Sequence, residues 1–147
     1  MRHASGLSIL ELVVAVGLAS VLAGVGVLSH QALRPGLNLT AATRQVVMGL
    51  LATRMRAIAR NTDLRIVFSN GGTSYRPQAR NGNTYNDEGA PVALAAGISI
   101  LDCTAGASAI SFRPRGNAGT FGTVTLQNSR GDVRRVVVDI AGQVRVQ

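Results

Sequence analysis

The chain has no lysine and no tryptophan, a single cysteine, two histidines and only 3% aromatic residues among 147. One cysteine, Cys103, excludes an intramolecular disulfide, and without nearby Cys or His partners it fits neither a metal site nor a redox motif. A buried small hydrophobe is the expected role, with an exposed thiol that crosslinks subunits as the alternative. Few aromatics mean that the core must rest on Val, Ile, Leu and Ala. They also make a base-stacking platform a poor reading, with Tyr75, Tyr85 and Phe121 as the only loop-placed candidates. His3 and His30 stand in or next to the amino-terminal apolar region, and no nucleophile is set beside a base. Asp87-Glu88 is the one adjacent acid pair, in an expected loop, and Gly71-Gly72 and Gly116-x-x-Gly119 do not join a strand to a helix. Catalysis, cofactors and metals are therefore not assigned.

Negative charge is scarce where it matters most. From residue 7 to residue 33 the only formal charge is Glu11. Those residues would make a helix of roughly 40 Å at ~1.5 Å per residue, longer than the ~30 Å hydrocarbon core of a bilayer. A carboxylate near one end of such a span is costly and marks function and a partner. A secretory signal would have a shorter apolar core, and a plain single-pass anchor would leave Glu11 without a purpose. Every basic residue is arginine. After residue 33, fourteen arginines face six acids, so the remainder of the chain is strongly basic and suited to polyanions or to a solvated face.

Arg34-Pro35-Gly36 predicts a break after the apolar helix. A second helix is expected over residues 38–60, with Val47, Met48, Leu51, Met55 and Ile58 as its core face, extending back to Leu37. Asn38, Gln45, Thr53, Arg56 and Arg60 fall on the opposite side, and Arg44 lies within the apolar stripe. Alternation predicts strands over residues 64–69, 73–76 (stopping at Pro77), 98–101, 109–112, 123–127, 133–140 and 143–146. Residues 78–91 and 113–119 read as loops. The fold class is α+β: a long amino-terminal helix, transmembrane then amphipathic, packed on an antiparallel β-sheet domain.

The stretch Gly6-Leu7-Ser8-Ile9-Leu10-Glu11 resembles the processing site of the type IV pilin and type II secretion pseudopilin superfamily. That resemblance implies a leader over residues 1–6, a filament-core helix over 7–36 and an exported domain over 37–147. It implies cleavage after Gly6 by a prepilin peptidase and methylation of Leu7. It also gives Glu11 the task of neutralising a neighbouring subunit's terminal amine during assembly. An ammonium and a carboxylate attract strongly in a low dielectric, yet each is costly to bury alone. Leu7 stands where phenylalanine is common, and Leu28 where many pilins carry a proline.

The run from Leu50 to Asn61 leading into residues 64–68 is similar to the GspH/FimT branch of that superfamily. So are Phe112-Arg113-Pro114-Arg115-Gly116, Arg134-Arg135-Val136-Val137-Val138 and Gly142-Gln143-Val144-Arg145-Val146. The branch implies two β-sheets against the helix and a minor pilin of a type IV pilus or type II secretion pseudopilus. The implied partners are other pilin subunits, in the bacterial inner membrane and then in the filament. The alternative is DNA capture, as in FimT-like pilins with a carboxy-terminal Gly-Arg-x-Arg motif. Gly142 and Arg145 fit that motif and Gln143 does not. Arg113, Arg115, Arg130, Arg134 and Arg135 are the further candidates for phosphate contacts, although Arg134 and Arg135 alternate on a strand and cannot share a face.

Overall fold

The computed structural model describes residues 8–147, and of residues 21–33 the backbone alone. Gly6 and Leu7 lie outside the described residues. The chain divides into two compact units between Arg34 and Pro35.

A single helix, α1, runs Ile9–Arg60, through Pro35 rather than breaking there. The expected interruption is therefore corrected. Proline removes one intrahelical donor, a loss of about 3 kcal/mol in a helix interior. The turns that follow are anchored by burial of Leu39, Ala42 and Val46, which offsets it. The helix ends at its expected place. Asn61 adopts a left-handed φ of 49°, and the Asn61 and Thr62 N–H groups donate to the carbonyls of Ile58 (3.3 Å) and Ala57 (3.2 Å), closing the last turn. Among the described residues no helix is long and apolar enough to cross a membrane; of the expected span, the side chains of residues 21–33 lie outside the described ones.

The inward face of the helix is not the expected one. Leu39, Ala42, Val46, Leu50 and Ala57 are buried, together with Thr43 and Thr53. Leu37, Met48, Leu51, Met55 and Ile58 are exposed, and only Val47 from the expected stripe packs against the core. The reason is size. The sheet presents Leu64, Ile66, Phe68, Ile110 and Phe112, all fully buried, and such bulk is met by small helix residues. The two threonines are tolerated there because their hydroxyls donate to carbonyls one turn back, Thr43 to Leu39 (2.7 Å) and Thr53 to Gly49 (2.8 Å). At Gly49 a Cβ would come within 2.8 Å of the Tyr75 hydroxyl, so glycine is what lets the buried tyrosine approach.

Among the described residues ten strands form two sheets in which every pairing is antiparallel. In chain order they are β1 (Leu64–Phe68), β2 (Ser74–Asn81), β3 (Thr84–Asp87), β4 (Val92–Ala93), β5 (Ile98–Cys103), β6 (Ala109–Phe112), β7 (Ala118–Thr120), β8 (Gly122–Asn128), β9 (Val133–Val138) and β10 (Val144–Val146). The first sheet has the order β3-β2-β1-β6-β7, with β4 also on β2; the second is β10-β9-β8-β5. Cys103 is buried at the end of β5, and burial pushes its thiol pKa up.

Two expected loops contain strands. β2 continues through Pro77, opposite Ile66, because the proline's missing N–H falls where it is not needed. On that edge the pairing with β4 ends at Tyr75, the pairing with β3 begins at Gln78, and the Pro77 carbonyl accepts the Glu88 N–H at 2.9 Å. Gly82, at φ 62°, then turns the chain into β3. Residues 113–119 form a tight hairpin into β7, with Gly116 at φ 82° after Pro114-Arg115.

Candidate functional site

The first candidate lies at the start of α1. Ser8 precedes the helix and its hydroxyl accepts the Leu10 N–H at 3.3 Å, so it acts as the cap. Glu11 is in the first turn and exposed, where a carboxylate complements the unpaired N–H groups of the helix end. A Ser-x-x-Glu spacing thus gives Glu11 a local structural role that is compatible with meeting a charge from outside.

The second candidate is built where the β6–β7 hairpin, the β9–β10 turn and the flank of α1 meet. The Arg54 Nε–H donates to the Gly116 carbonyl at 2.7 Å. A Cβ on Gly142 would stand 2.4 Å from that same carbonyl oxygen, and Gly142 has a φ of 78°. Only glycine allows the turn to close on the hairpin in this way. The Ala118 N–H donates to the Ile140 carbonyl (3.1 Å), and Ile58 lies against Gly116. In the sequence Arg54 looks like one more exposed helix arginine. Its spacing from the helix core residues gives no hint of a partner 62 positions away.

Arg113 and Arg115 project from this hairpin and, with Asn61, Pro114 and Asn117, line an open cavity of about 410 Å³. No acid lines it, and the Asn117 Oδ1 is buried without a hydrogen-bond partner. Gly142 therefore acts on the candidate site by placing a loop.

The other arginines of the expected set are dispersed. Arg145, on β10, donates to the Gln143 side chain (2.9 Å) and pairs with Asp139 (3.5 Å). Arg135 lies on the same outward face of the second sheet, diagonal to Arg145, while Arg134 faces the opposite way. Arg130 is in the β8–β9 turn, where its backbone N–H donates to the Asn128 side chain. That turn is at the far end of the hairpin from the Val138–Gly122 pair, about 20 Å away at ~3.3 Å per residue.

Two of the expected aromatic candidates are also accounted for otherwise. Tyr75 is buried on β2, with its hydroxyl pKa raised by desolvation, and the ring of Tyr85 on β3 is covered by the Arg65 guanidinium at 3.9 Å. Phe121 is exposed.

The acids of the β2–β3 region are engaged by arginine. Glu88 pairs with Arg60 and Asp63 with Arg80, and Asp87 accepts from both Gln78 (2.7 Å) and Arg76 (2.8 Å). The Gln78 hydrogen bond, with Arg76 beside it, holds the Asp87 carboxyl below its ordinary pKa, and Asp63 raises that of Arg80. No group of three or more potential metal ligands occurs among the described residues.

These features agree with known proteins. The family model described as type II transport protein GspH matches residues 42–142. The minor pseudopilin EpsH from the type 2 secretion system of Vibrio cholerae has a similar structure, with a TM-score of 0.63 over 75% of this chain and 96% of that one, at 14% identity. No curated protein matches by sequence. The helix-on-two-sheets fold and a family match across most of the β domain lead to one assignment: the chain belongs to the GspH family of type II transport proteins, within the pilin-like superfamily.

Proposed function

We propose that this chain is a minor pseudopilin of a type II secretion system. Prepilin peptidase removes residues 1–6 by cutting after Gly6, and Leu7 is methylated. Residues 7–36 then hold the protein in the inner membrane as a single pass, with the β domain outside the cytoplasm, until the helix is drawn into the filament. The observation that supports this most is Glu11, the sole formal charge between residues 7 and 33, carried in the first turn of a helix continuous with the GspH-like domain. In an apolar filament interior a neighbour's terminal ammonium is the group that would offset its burial. Glu11→Ala is expected to leave membrane insertion and leader cleavage intact while abolishing incorporation, read by filament pull-down and mass spectrometry of the mature amino terminus. Normal incorporation of the variant, or an amino terminus other than Leu7, would overturn the reading.

A second function, DNA capture, has one observation in its favour. The contact between Gly142 and Gly116 sets Arg113 and Arg115 beside an open cavity with no acid in its lining. Binding would go through phosphates without sequence readout. Arg145, the arginine that fits the FimT-like motif, already has Asp139 as a partner. The reading expects a duplex shift at ~50 mM salt that weakens roughly tenfold at ~200 mM, as two phosphate contacts require, and is lost in the Arg113→Ala/Arg115→Ala variant. No shift at low salt removes it.

A further inference from the structure

Between α1 and β2 lies a small cavity that neither of the proposed functions uses. It measures about 180 Å³ and all of its lining belongs to the second compact unit. Gly49, Ala52 and Thr53 make its helix wall, one short side chain after another, and Ile66 and Tyr75 form its sheet side. Pro77 and Val92 line it at the interval where β2 lacks an edge partner, between the end of the β4 pairing at Tyr75 and the start of the β3 pairing at Gln78.

The polar atoms of this lining are engaged by the chain itself. The Thr53 hydroxyl donates to the Gly49 carbonyl at 2.8 Å, and the Tyr75 hydroxyl is bonded to the Gln45 side chain. The Pro77 carbonyl accepts the Glu88 N–H at 2.9 Å, and a proline has no N–H to offer. The inside is therefore apolar. An apolar cavity of ~150 Å³ admits benzene, so one branched or aromatic side chain fits here. A drug-sized ligand, which needs roughly 300 Å³ or more, does not.

Charge at the rim sets the rest of the ligand. Arg56, one turn past Ala52, lines the cavity, is exposed and has no hydrogen-bond or salt-bridge partner among the described residues. The acids of the neighbouring segments are already taken: Glu88 by Arg60, Asp63 by Arg80 and Asp87 by Arg76. An unpaired guanidinium beside an apolar hole selects an anion joined to an apolar group. Its planar fork satisfies the two oxygens of a carboxylate, whereas the three oxygens of a phosphate call for further donors.

We propose that this cavity binds an apolar carboxylate of about leucine's size, with its side chain against Gly49, Ala52 and Pro77 and its carboxylate on the Arg56 guanidinium. A free branched-chain acid and the carboxy-terminal residue of a peptide share this chemistry. The site does not depend on the filament reading.

The test uses the full chain in nanodiscs, with its Ala, Thr and Val methyl groups labelled for NMR. It is titrated with isocaproate and with the neutral, isosteric isocaproamide. The acid is expected to shift the Ala52, Thr53 and Val92 methyl resonances and to bind roughly tenfold more tightly than the amide. Arg56→Gln should remove that advantage, and Ala52→Leu, which fills the cavity, should abolish binding of both. Arg56 and Ala52 are exposed, so both variants keep the fold, which their melting temperatures check. Acetyl-glycyl-leucine separates the two sources: tighter binding than isocaproate assigns the site to a chain terminus, and weaker binding assigns it to a free acid. Equal affinity for acid and amide would overturn the proposal. So would an acid preference that Arg56→Gln leaves intact, or three methyl resonances unmoved by millimolar acid.

Discussion

The two faces of α1 between residues 35 and 60 are both apolar, and they differ in size rather than in hydropathy. The inward face is made of Leu39, Ala42, Thr43, Val46, Leu50, Thr53 and Ala57; the outward one carries two methionines and the larger aliphatics. A face that must approach a sheet already filled with Phe68, Phe112 and Ile110 gains more from short side chains than from long ones. The longer residues stay exposed on the outward face. Apolar periodicity alone therefore locates a helix and leaves open which of two stripes is its core.

Neighbouring leucines give the sharpest way to break this comparison. Leu50 is fully buried, so Leu50→Ala is expected to cost about 3 kcal/mol through lost burial and the cavity left behind. Leu51→Ala, one residue on, is expected to cost about 0.5 kcal/mol or less. Urea unfolding of the two variants checks this, and similar losses would show that the outward stripe is covered within the chain.

At the flank between the two faces, Arg54 meets Gly116 and Gly142. Gly142→Ala adds a methyl group 2.4 Å from the Gly116 oxygen at a backbone angle that favours glycine. A loss of about 2–3 kcal/mol is expected. Hydrogen exchange should show the change confined to the 113–119 hairpin and the β9–β10 turn. A neutral result would mean that the hairpin is not held by this contact.

On the inward face, Gly49→Ala sets a gain in helix propensity of about 1 kcal/mol against a clash with the Tyr75 hydroxyl at 2.8 Å. A net loss of about 1 kcal/mol is expected. Tyr75→Phe removes the nearest clashing atom, so the double variant should recover most of it; simple additivity of the two single changes would contradict the close fit.

The smallest effect concerns the β2–β3 edge, away from the helix. The Asp87 carboxyl is held below its ordinary pKa, so its contribution is present above about pH 4 and is lost as pH falls through the lowered native value. Thermal melting should show wild type above Asp87→Asn at pH 6 and the two converging as pH falls below the lowered native value.

Much of the fold was legible as pattern. Alternation located β1 and β9, where core-facing residues alternate with less buried ones, whereas β6 is buried along its whole length and β8 through its middle, so apolar and β-branched content marked them instead. The β2–β3 hairpin is hidden in the sequence because Pro77 reads as a stop, and only the pairing gap between β4 and β3 shows why it is harmless. The helix runs through Pro35 for a related reason: a proline's cost is local, whereas the burial that offsets it comes from residues 39–57 against a sheet formed later in the chain. At the candidate site Gly142 was visible as part of a motif, but its effect is exerted on Gly116, and Arg54 was not visible at all. A hydrogen bond spanning 62 residues leaves no periodic trace.

The chain by itself determined that a long apolar helix with one acid, Glu11, leads into a basic, aromatic-poor α+β domain. Composition and spacing are local quantities, and they suffice for that. Tertiary structure alone decided which helix stripe is buried, which acids are taken up by Arg60, Arg76 and Arg80, and which two of the candidate arginines stand together beside one cavity. Those outcomes depend on volume and distance between segments far apart in sequence, where packing density and Coulomb's law act only after the sheets have formed.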